Sequence, residues 1–127
     1  MKEEKTIDSK FLDSSIWLAY LIEGNHKEII DNENILYVSV LSLFEIKKKL
    51  LEKEFPKNVI KEKIDFIKKR TIIKEVNKEI AEKAAEISAE MKIPSIDALI
   101  YATALLSRGM LFTSDNDFRN LSNAKII

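Results

Sequence analysis

The sequence has no cysteine, and this absence excludes disulfide bonds, thiolate zinc sites and cysteine nucleophiles. It has a single histidine, His26, which excludes a metal site built from several histidines of one chain. Its apolar runs are far shorter than the roughly 20 residues that a membrane-spanning helix needs. The opening MKEEKTIDSK is too polar for a secretory signal. We therefore expect a cytoplasmic protein.

Neither sign of charge is in excess, because 21 lysines and arginines balance 21 aspartates and glutamates. A net charge of zero gives no overall attraction to nucleic acid, so any such binding must depend on local basic patches. The 127 residues suit one domain, since a chain of this size buries roughly two-thirds of its unfolded surface. We expect a single domain over residues 1–127, in which residues 1–10 form a polar N-terminal extension.

Strand and helix signals alternate along the chain. Short apolar runs predict strands at 11–13, 35–39, 71–76, 110–113 and 124–127. Apolar residues at helical spacing predict helices at 16–24, 26–30, 40–54, 56–70, 77–91 and 95–107. This alternation predicts an α/β domain in which helices cover both faces of a central, mainly parallel sheet of four to five strands. Ser14 or Ser15 is expected to cap the first of these helices, and Asn77 a later one.

Five acidic residues lie at the ends or edges of these elements. Asp13 ends the first strand, Glu45 lies at the edge of the apolar arc of helix 40–54, and Asp97 lies in the first turn of a later helix. Asp115 and Asp117 follow the fourth strand. Ligands of open α/β sheets bind at the carboxyl ends of the strands, so folding is expected to bring these carboxylates together.

Most of these acids also have an ordinary structural explanation when each is taken alone. Asp13 stands where a helix begins, and aspartate is a common N-cap. Lys49 lies four residues after Glu45, a spacing that favours a surface ion pair. Asp115 and Asp117 lie in a polar stretch that is typical of a turn.

Asp97 is harder to explain by structure alone. It is the only charged residue in 94–107, whose helix is apolar nearly all round and should be the most buried. An unpaired buried carboxylate is very unfavourable, and two carboxylates about 4 Å apart repel by roughly 4 kcal/mol at an effective dielectric constant near 20. A cluster of such acids therefore requires a cation. All-oxygen ligands favour Mg²⁺ or Mn²⁺, and metal-assisted attack of water on a phosphodiester is the natural chemistry of such a site.

The segments that carry these acids resemble the motifs of the PIN-domain family, in order and in spacing. They are FLDSSIWLAY with Asp13, SVLSLFEIKKKL with Glu45, IPSIDALIYATAL with Asp97, and LFTSDNDF with Asp115 and Asp117. The length and element order are similar to those of the VapC-like ribonuclease toxins of toxin–antitoxin pairs. This resemblance implies a three-layer PIN-like fold, a ribonuclease that depends on Mg²⁺ or Mn²⁺, a homodimer and a small antitoxin partner.

The resemblance also implies roles for individual residues. The catalytic acids of the family correspond to Asp13, Glu45, Asp97 and Asp115. The metal-binding residues would be the same four and Asp117. Asp13 and Asp97 match the acids most often assigned as direct metal ligands. Asp117 matches a frequent additional acid, and Thr113 the hydroxyl residue near it.

Two other functions are open at the level of sequence. One is a catalytically silent PIN-fold module that binds a partner, and the intact set of acids argues against it. The other is a Mg²⁺-dependent phosphoryl-transfer domain, which would need a lysine at the end of a late strand. The segment LFTSDNDF offers acids there and no lysine.

Contacts with RNA and with a second subunit would depend on other residues. The basic candidates for the RNA backbone are Lys47–Lys49, Lys68–Arg70, Arg108 and Arg119. In a chain with 33% charged residues, however, most lysines only solvate a surface. Apolar helical surface around Ile16, Trp17 and Leu21, over 40–51 and over 96–106 predicts a symmetric dimer.

Overall fold

The computed structural model describes residues 9–127, in which a five-stranded parallel sheet lies between two layers of helices. The strands are β1 (Ser9–Leu12), β2 (Leu36–Ser39), β3 (Thr71–Lys74), β4 (Gly109–Thr113) and β5 (Ala124–Ile126). The helices are α1 (Ser14–Glu23), α2 (Lys27–Ile30), α3 (Val40–Glu52), α4 (Lys57–Arg70), α5 (Lys78–Met91) and α6 (Ser95–Leu106). The strand order is β3-β2-β1-β4-β5, with every neighbouring pair parallel. The predicted three-layer α/β fold is confirmed.

Each face of the sheet has its own hydrophobic core, because successive residues of a strand point to opposite faces. Phe11 packs with residues of α5 and α6, whereas its neighbour Leu12 packs with residues of α1, α3 and α4. In α6 the buried residues are 98 and 100–104, which makes it the most buried helix, as its sequence predicts. None of the described helices is both long and apolar enough to cross a membrane.

Part of the apolar surface that predicted a dimer lies inside the monomer instead. Ile16 and Trp17 are fully buried, because α1 packs them into the core that it shares with α3 and α4. Most of α6 is buried in the opposite core. The prediction that these residues are available to a second subunit is therefore wrong. An apolar helix face is expected to be buried, but the sequence alone does not show whether the same chain or a second subunit covers it.

Helix and strand starts agree with the predictions at α5 and differ from them near the N-terminus. The side chain of Asn77 caps α5 by accepting the N–H of Ile80 at 2.8 Å. The N-cap of α1 is Asp13, which makes no side-chain capping bond, so the predicted serine cap is wrong. The predicted extension 1–10 falls mostly on residues 1–8, which lie outside the described residues, and its last two residues begin β1.

The register between β1 and β4 is set where β4 begins. A Cβ atom on Gly109 would lie 2.7 Å from Cδ1 of Phe11 and 2.8 Å from the carbonyl oxygen of Ser9, so a larger residue does not fit. The pairing of Ser9 with Gly109 places Leu12 beside Phe112 at the other end. The two strands consequently end side by side.

Candidate functional site

The candidate site lies at the carboxyl ends of β1 and β4. The strand order reverses between these two strands, and open α/β sheets bind ligands at such points. Asp13 directly follows β1, and its backbone N–H donates to the carbonyl oxygen of Phe112 at 2.9 Å. A cleft of about 340 Å³ opens here, and its lining includes Asp13, Glu45, Asp97 and Asp115.

Asp13 forms the floor of this cleft and is only 4% exposed. Its Oδ2 accepts hydrogen bonds from Thr113 Oγ1 at 2.7 Å and from Ser15 Oγ at 3.1 Å. Burial raises the pKa of Asp13, and the hydrogen bonds from Thr113, the Ser14 backbone and Ser15 oppose that rise. These hydroxyl groups therefore both orient the carboxylate and favour its charged form.

Glu45 reaches the cleft from α3. Its Oε1 accepts a hydrogen bond from Ser14 Oγ at 2.8 Å, and burial raises its pKa. The ion pair that the spacing of Glu45 and Lys49 favours is not the arrangement in the structure, in which Lys49 Nζ lies 3.6 Å from Glu52 Oε1. The glutamate therefore belongs to the acidic cleft rather than to a surface ion pair.

Asp97, Asp115 and Asp117 form the tightest group of acids, with one carboxylate oxygen of each within 4.8 Å of the others. The pKa of Asp97 is raised to about 7, first by burial and then by the charges of Asp115, Asp13, Glu45 and Asp117. Asp97 is the third residue of α6, where the helix dipole favours an anion, so burial and repulsion outweigh the dipole.

Asp115 also has the turn role that its sequence predicts. Its Oδ1 accepts the N–H of Asp117 at 2.9 Å and caps a short 3₁₀ helix, Asn116–Phe118. Its own N–H donates to Thr113 Oγ1 at 3.0 Å, which ties the turn to the hydroxyl that holds Asp13. The structural and the functional interpretation of this segment are compatible.

The structure thus brings the carboxylates of all five predicted acids near one another, as a tight group of three and two further acids beside it. Asp97, Asp115 and Asp117 form the tight group, while Asp13 and Glu45 lie close enough to raise the pKa of Asp97. Oxygen ligands of Mg²⁺ at 2.0–2.1 Å lie at most about 4.2 Å apart, so the tight group fits such an ion after small side-chain movements.

Sequence reasoning missed the part that Ser14 and Ser15 have in this site. Ser15 Oγ lies 3.3 Å from Thr113 Oγ1 and accepts the N–H of Ser114 at 3.0 Å, in addition to its bond to Asp13. The available signal was the pair of hydroxyl residues directly after Asp13. The preference of serine for helix N-caps led us to expect a capping role for Ser14 and Ser15, because that preference takes no account of partners in distant segments.

The basic candidates lie in different places. Lys47, Lys48 and Lys68 line an apolar groove of about 490 Å³ beside the cleft. Lys48 and Lys49 line the cleft as well, where each forms an exposed ion pair with Glu52. Arg70 and Arg119 are engaged elsewhere: Arg70 Nε donates to the carbonyl oxygen of Ile30 at 2.9 Å, and Arg119 donates to Asn116 Oδ1 at 2.7 Å. The groove lysines are therefore the better placed candidates for contacts near the acids.

Comparison with known protein families shows which family the chain belongs to. The sequence profile of the PIN domain matches residues 10–124. The chain belongs to the PIN-domain family. The resemblance seen in its four acidic segments is thereby confirmed. No curated protein matches the sequence.

Solved structures that are similar to this PIN domain include several toxin–antitoxin proteins. DNA-bound VapBC from Salmonella typhimurium has a TM-score of 0.80 at 16% identity, covering 95% of this chain and 98% of that one. VapBC2 from Rickettsia felis, bound to a promoter DNA fragment, has a TM-score of 0.76 at 20% identity, covering 93% and 96%. Mycobacterium tuberculosis VapC20, described as a sarcin–ricin loop cleaving toxin, has a TM-score of 0.72 at 17% identity, covering 87% and 93%. At these identities the similarity concerns the fold.

Proposed function

We propose that this PIN domain is a ribonuclease that depends on Mg²⁺ or Mn²⁺ and is the toxin of a toxin–antitoxin pair. The observation that carries the proposal is the group of Asp97, Asp115 and Asp117, of which Asp97 and Asp115 line a cleft together with Asp13 and Glu45. Oxygen ligands of this kind suit a hard divalent cation. Membership of the PIN family supports a nuclease over a phosphoryl-transfer domain, and the RNA-cleaving activity named for VapC20 supports RNA as the substrate.

The side chains of the cleft divide the work. Asp97, Asp115 and Asp117 would hold the cation, with Asp13 as a further ligand on the floor of the cleft. A bound divalent ion supplies Lewis acidity for the attack of water on a phosphodiester. Glu45 would orient the attacking water by accepting a hydrogen bond from it. Thr113 and Ser15 keep Asp13 in one orientation through their bonds to Oδ2.

The lysines beside the cleft would position the RNA backbone. Lys48 lines both the cleft and the groove, so one side chain can reach a phosphate next to the acids. Lys47 and Lys68 continue the positive charge along the groove. Lysine contacts to phosphate bind RNA without regard to sequence and weaken as salt concentration rises.

The partners that we propose are a small protein antitoxin and a second copy of the chain. The antitoxin is supported by the fold shared with a toxin–antitoxin complex from Klebsiella pneumoniae and with VapBC proteins from other bacteria. Apolar side chains that the monomer leaves exposed, such as Ile72 at 47% and Met91 at 45%, support a homodimer. Light scattering at micromolar concentration measures the oligomeric state directly, and a monomer with full nuclease activity would remove the dimer from the mechanism.

Removal of the metal tests the function. We expect the purified protein to cleave RNA with Mg²⁺ or Mn²⁺ and to lose that cleavage in excess EDTA, with recovery when metal is restored. An Asp97→Asn preparation purified in parallel controls for contaminating nuclease. Undiminished cleavage in EDTA would contradict the metal mechanism. Metal binding without cleavage of any RNA would favour the silent binding module.

A further inference from the structure

Helix α1 begins with two serines whose hydroxyl groups do not cap it. Serine at a helix start usually accepts a backbone N–H from the first turn. Here the N-cap is Asp13, and no side chain makes the capping bond. Ser14 Oγ instead donates to Glu45 Oε1 at 2.8 Å, and Ser15 Oγ donates to Asp13 Oδ2 at 3.1 Å. Both hydroxyls are therefore directed at carboxylates of the cleft.

The bond from Ser14 joins two separate elements. Ser14 is the first residue of α1, and Glu45 lies in the middle of α3, 31 residues later in the sequence. A glutamate side chain has three rotatable bonds, and one carboxylate oxygen held at hydrogen-bond distance removes most of that freedom. The second oxygen, Oε2, takes no part in this bond.

Asp13 and Glu45 differ in how they are held. The Oδ2 atom of Asp13 has two hydroxyl donors, Thr113 and Ser15, and its side chain is buried. Glu45 is only half-buried, and within residues 9–127 the hydroxyl of Ser14 is the one side-chain donor to its carboxylate. The orientation of Glu45 is consequently more sensitive to the loss of one hydroxyl group.

We propose that Ser14 is a positioning residue, whose hydroxyl holds Glu45 Oε1 so that the rest of the carboxylate faces the metal and the attacking water. This inference rests on the proposed function, since it assigns a supporting residue to the same site. Groups that orient the ligands of a metal typically change metal affinity or activity by about 10- to 100-fold when they are removed. Threonine keeps the hydroxyl group and alanine does not, so the two substitutions separate the bond from the volume of the side chain.

The experiment compares Ser14→Ala, Ser14→Thr and the control Ser95→Ala. Ser95 is the first residue of α6, as Ser14 is of α1, and it is exposed, so its variant reports the effect of alanine at a helix start. Mn²⁺ affinity is measured by calorimetry on the metal-free proteins, and kcat and KM are measured with an RNA substrate. We expect Ser14→Ala to lower Mn²⁺ affinity or kcat by about tenfold or more with little change in KM. Ser14→Thr and Ser95→Ala should remain within about threefold of the unaltered protein, below the 10- to 100-fold range expected for the loss of an orienting group.

A double-mutant cycle with Glu45→Ala, which removes the acceptor of the Ser14 bond, separates positioning from a general structural role. If Ser14 acts through Glu45, then Ser14→Ala should have no further effect on Mn²⁺ affinity or kcat when Glu45 is already alanine. Equal losses in both backgrounds would overturn the proposal, as would wild-type affinity and kcat in Ser14→Ala. Should Ser14→Ala not fold, Glu45→Asp shortens the other partner and must show the same loss of Mn²⁺ affinity or kcat for the proposal to stand.

The metal measurement keeps this inference apart from the proposed function. A protein that binds Mn²⁺ through a Ser14-dependent site but cleaves no RNA would sustain the positioning role and contradict the ribonuclease. Cleavage that requires metal but is indifferent to Ser14 would do the reverse. A protein that binds no Mn²⁺ would overturn both.

Discussion

The acidic cleft and the neighbouring lysine-lined groove share a wall but have opposite chemistry. Phe44 and Lys48 line both. On one side of them Glu45 joins the other acids, and on the other side Lys47 and Lys68 surround an apolar floor. Helix α3 separates the two, because residues about 100° apart on a helix point in different directions. A net charge of zero conceals this division.

The difference between the two regions indicates different tasks. Carboxylates that lie close together can bind a divalent cation. In the metal-free protein their negative charges repel one another. A polyanion needs positive charge spread along its length. If the cleft performs the chemistry and the groove only binds, changes in the two regions should alter different kinetic constants.

Asp97→Asn should give the largest effect. It removes a charge from the crowded acidic group, and we expect RNA cleavage to fall by about 10²- to 10³-fold, the scale seen when one electrostatic group of an active site is lost. Glu79→Gln is the matched control, because Glu79 is an exposed acid in the first turn of α5. Cleavage assays with Mn²⁺ and circular dichroism would measure activity and folding. An unfolded variant would mean that Asp97 has a structural role, and full activity would mean that the reaction does not need its charge.

Replacement of Lys47, Lys48 and Lys68 by alanine should have a smaller effect, and on binding. We expect KM for RNA to rise about tenfold, with kcat nearly unchanged, and the salt dependence of binding to weaken by roughly 0.7 per lost phosphate contact. The control replaces Lys78, Lys83 and Lys92, at and just beyond α5. A fall in kcat with unaltered KM would break the division between the cleft and the groove.

A change of pH should act on the cleft through Asp97. Its pKa is about 7 in the folded metal-free protein against 3.8 for the free side chain, so the folded state holds an extra proton between these values. Stability of the metal-free protein should therefore fall as pH rises from 3.8 to about 7. Asp97→Asn removes this dependence. The stability advantage of the variant over the unaltered protein should therefore be larger at pH 8 than at pH 5, by about 1 kcal/mol after allowance for solvent screening of this half-buried group.

Thermal unfolding in EDTA at the two pH values measures this difference. It corresponds to roughly 4 °C in Tm for a domain of this size. A constant offset between the two proteins at both pH values would show that Asp97 does not titrate in this range.

Ser42→Ala should give the smallest effect, on the buried side of the shared helix. Ser42 Oγ is buried and has no hydrogen-bond partner among the described residues. Its removal should stabilise the protein by about 0.5–1 kcal/mol, because an unsatisfied hydroxyl group is lost and alanine favours a helix. Urea unfolding measures the change, and activity should be unaffected. A clear destabilisation would imply that the hydroxyl has a partner in solution.

The predictions that succeeded depended either on local chemistry or on the general geometry of a parallel sheet. The alternating elements predicted the layered sheet, and the Asn77 cap formed because its partner is only three residues away. The five acids could be grouped because parallel strands end at one edge of a sheet. The predictions that failed depended on distant partners. Ser14 donates to a residue 31 positions away, and Ser15 accepts the N–H of Ser114, which follows β4, while the N-cap position of α1 is taken by Asp13.

Gly109, at the amino end of β4, affects the geometry of the acidic cleft at the carboxyl end of the same strand. The absence of a side chain there permits the approach of Phe11 and the pairing of Ser9 with Gly109. Because the register is the same along both strands, the pairing at Gly109 also aligns Asp13 with Thr113, which lies roughly 13 Å further along β4. The missing side chain of Gly109, which lies outside the cleft and takes no part in its chemistry, therefore helps to set the geometry of the site. Variants that impair catalysis should consequently be sought at the start of β4 as well as among the acids.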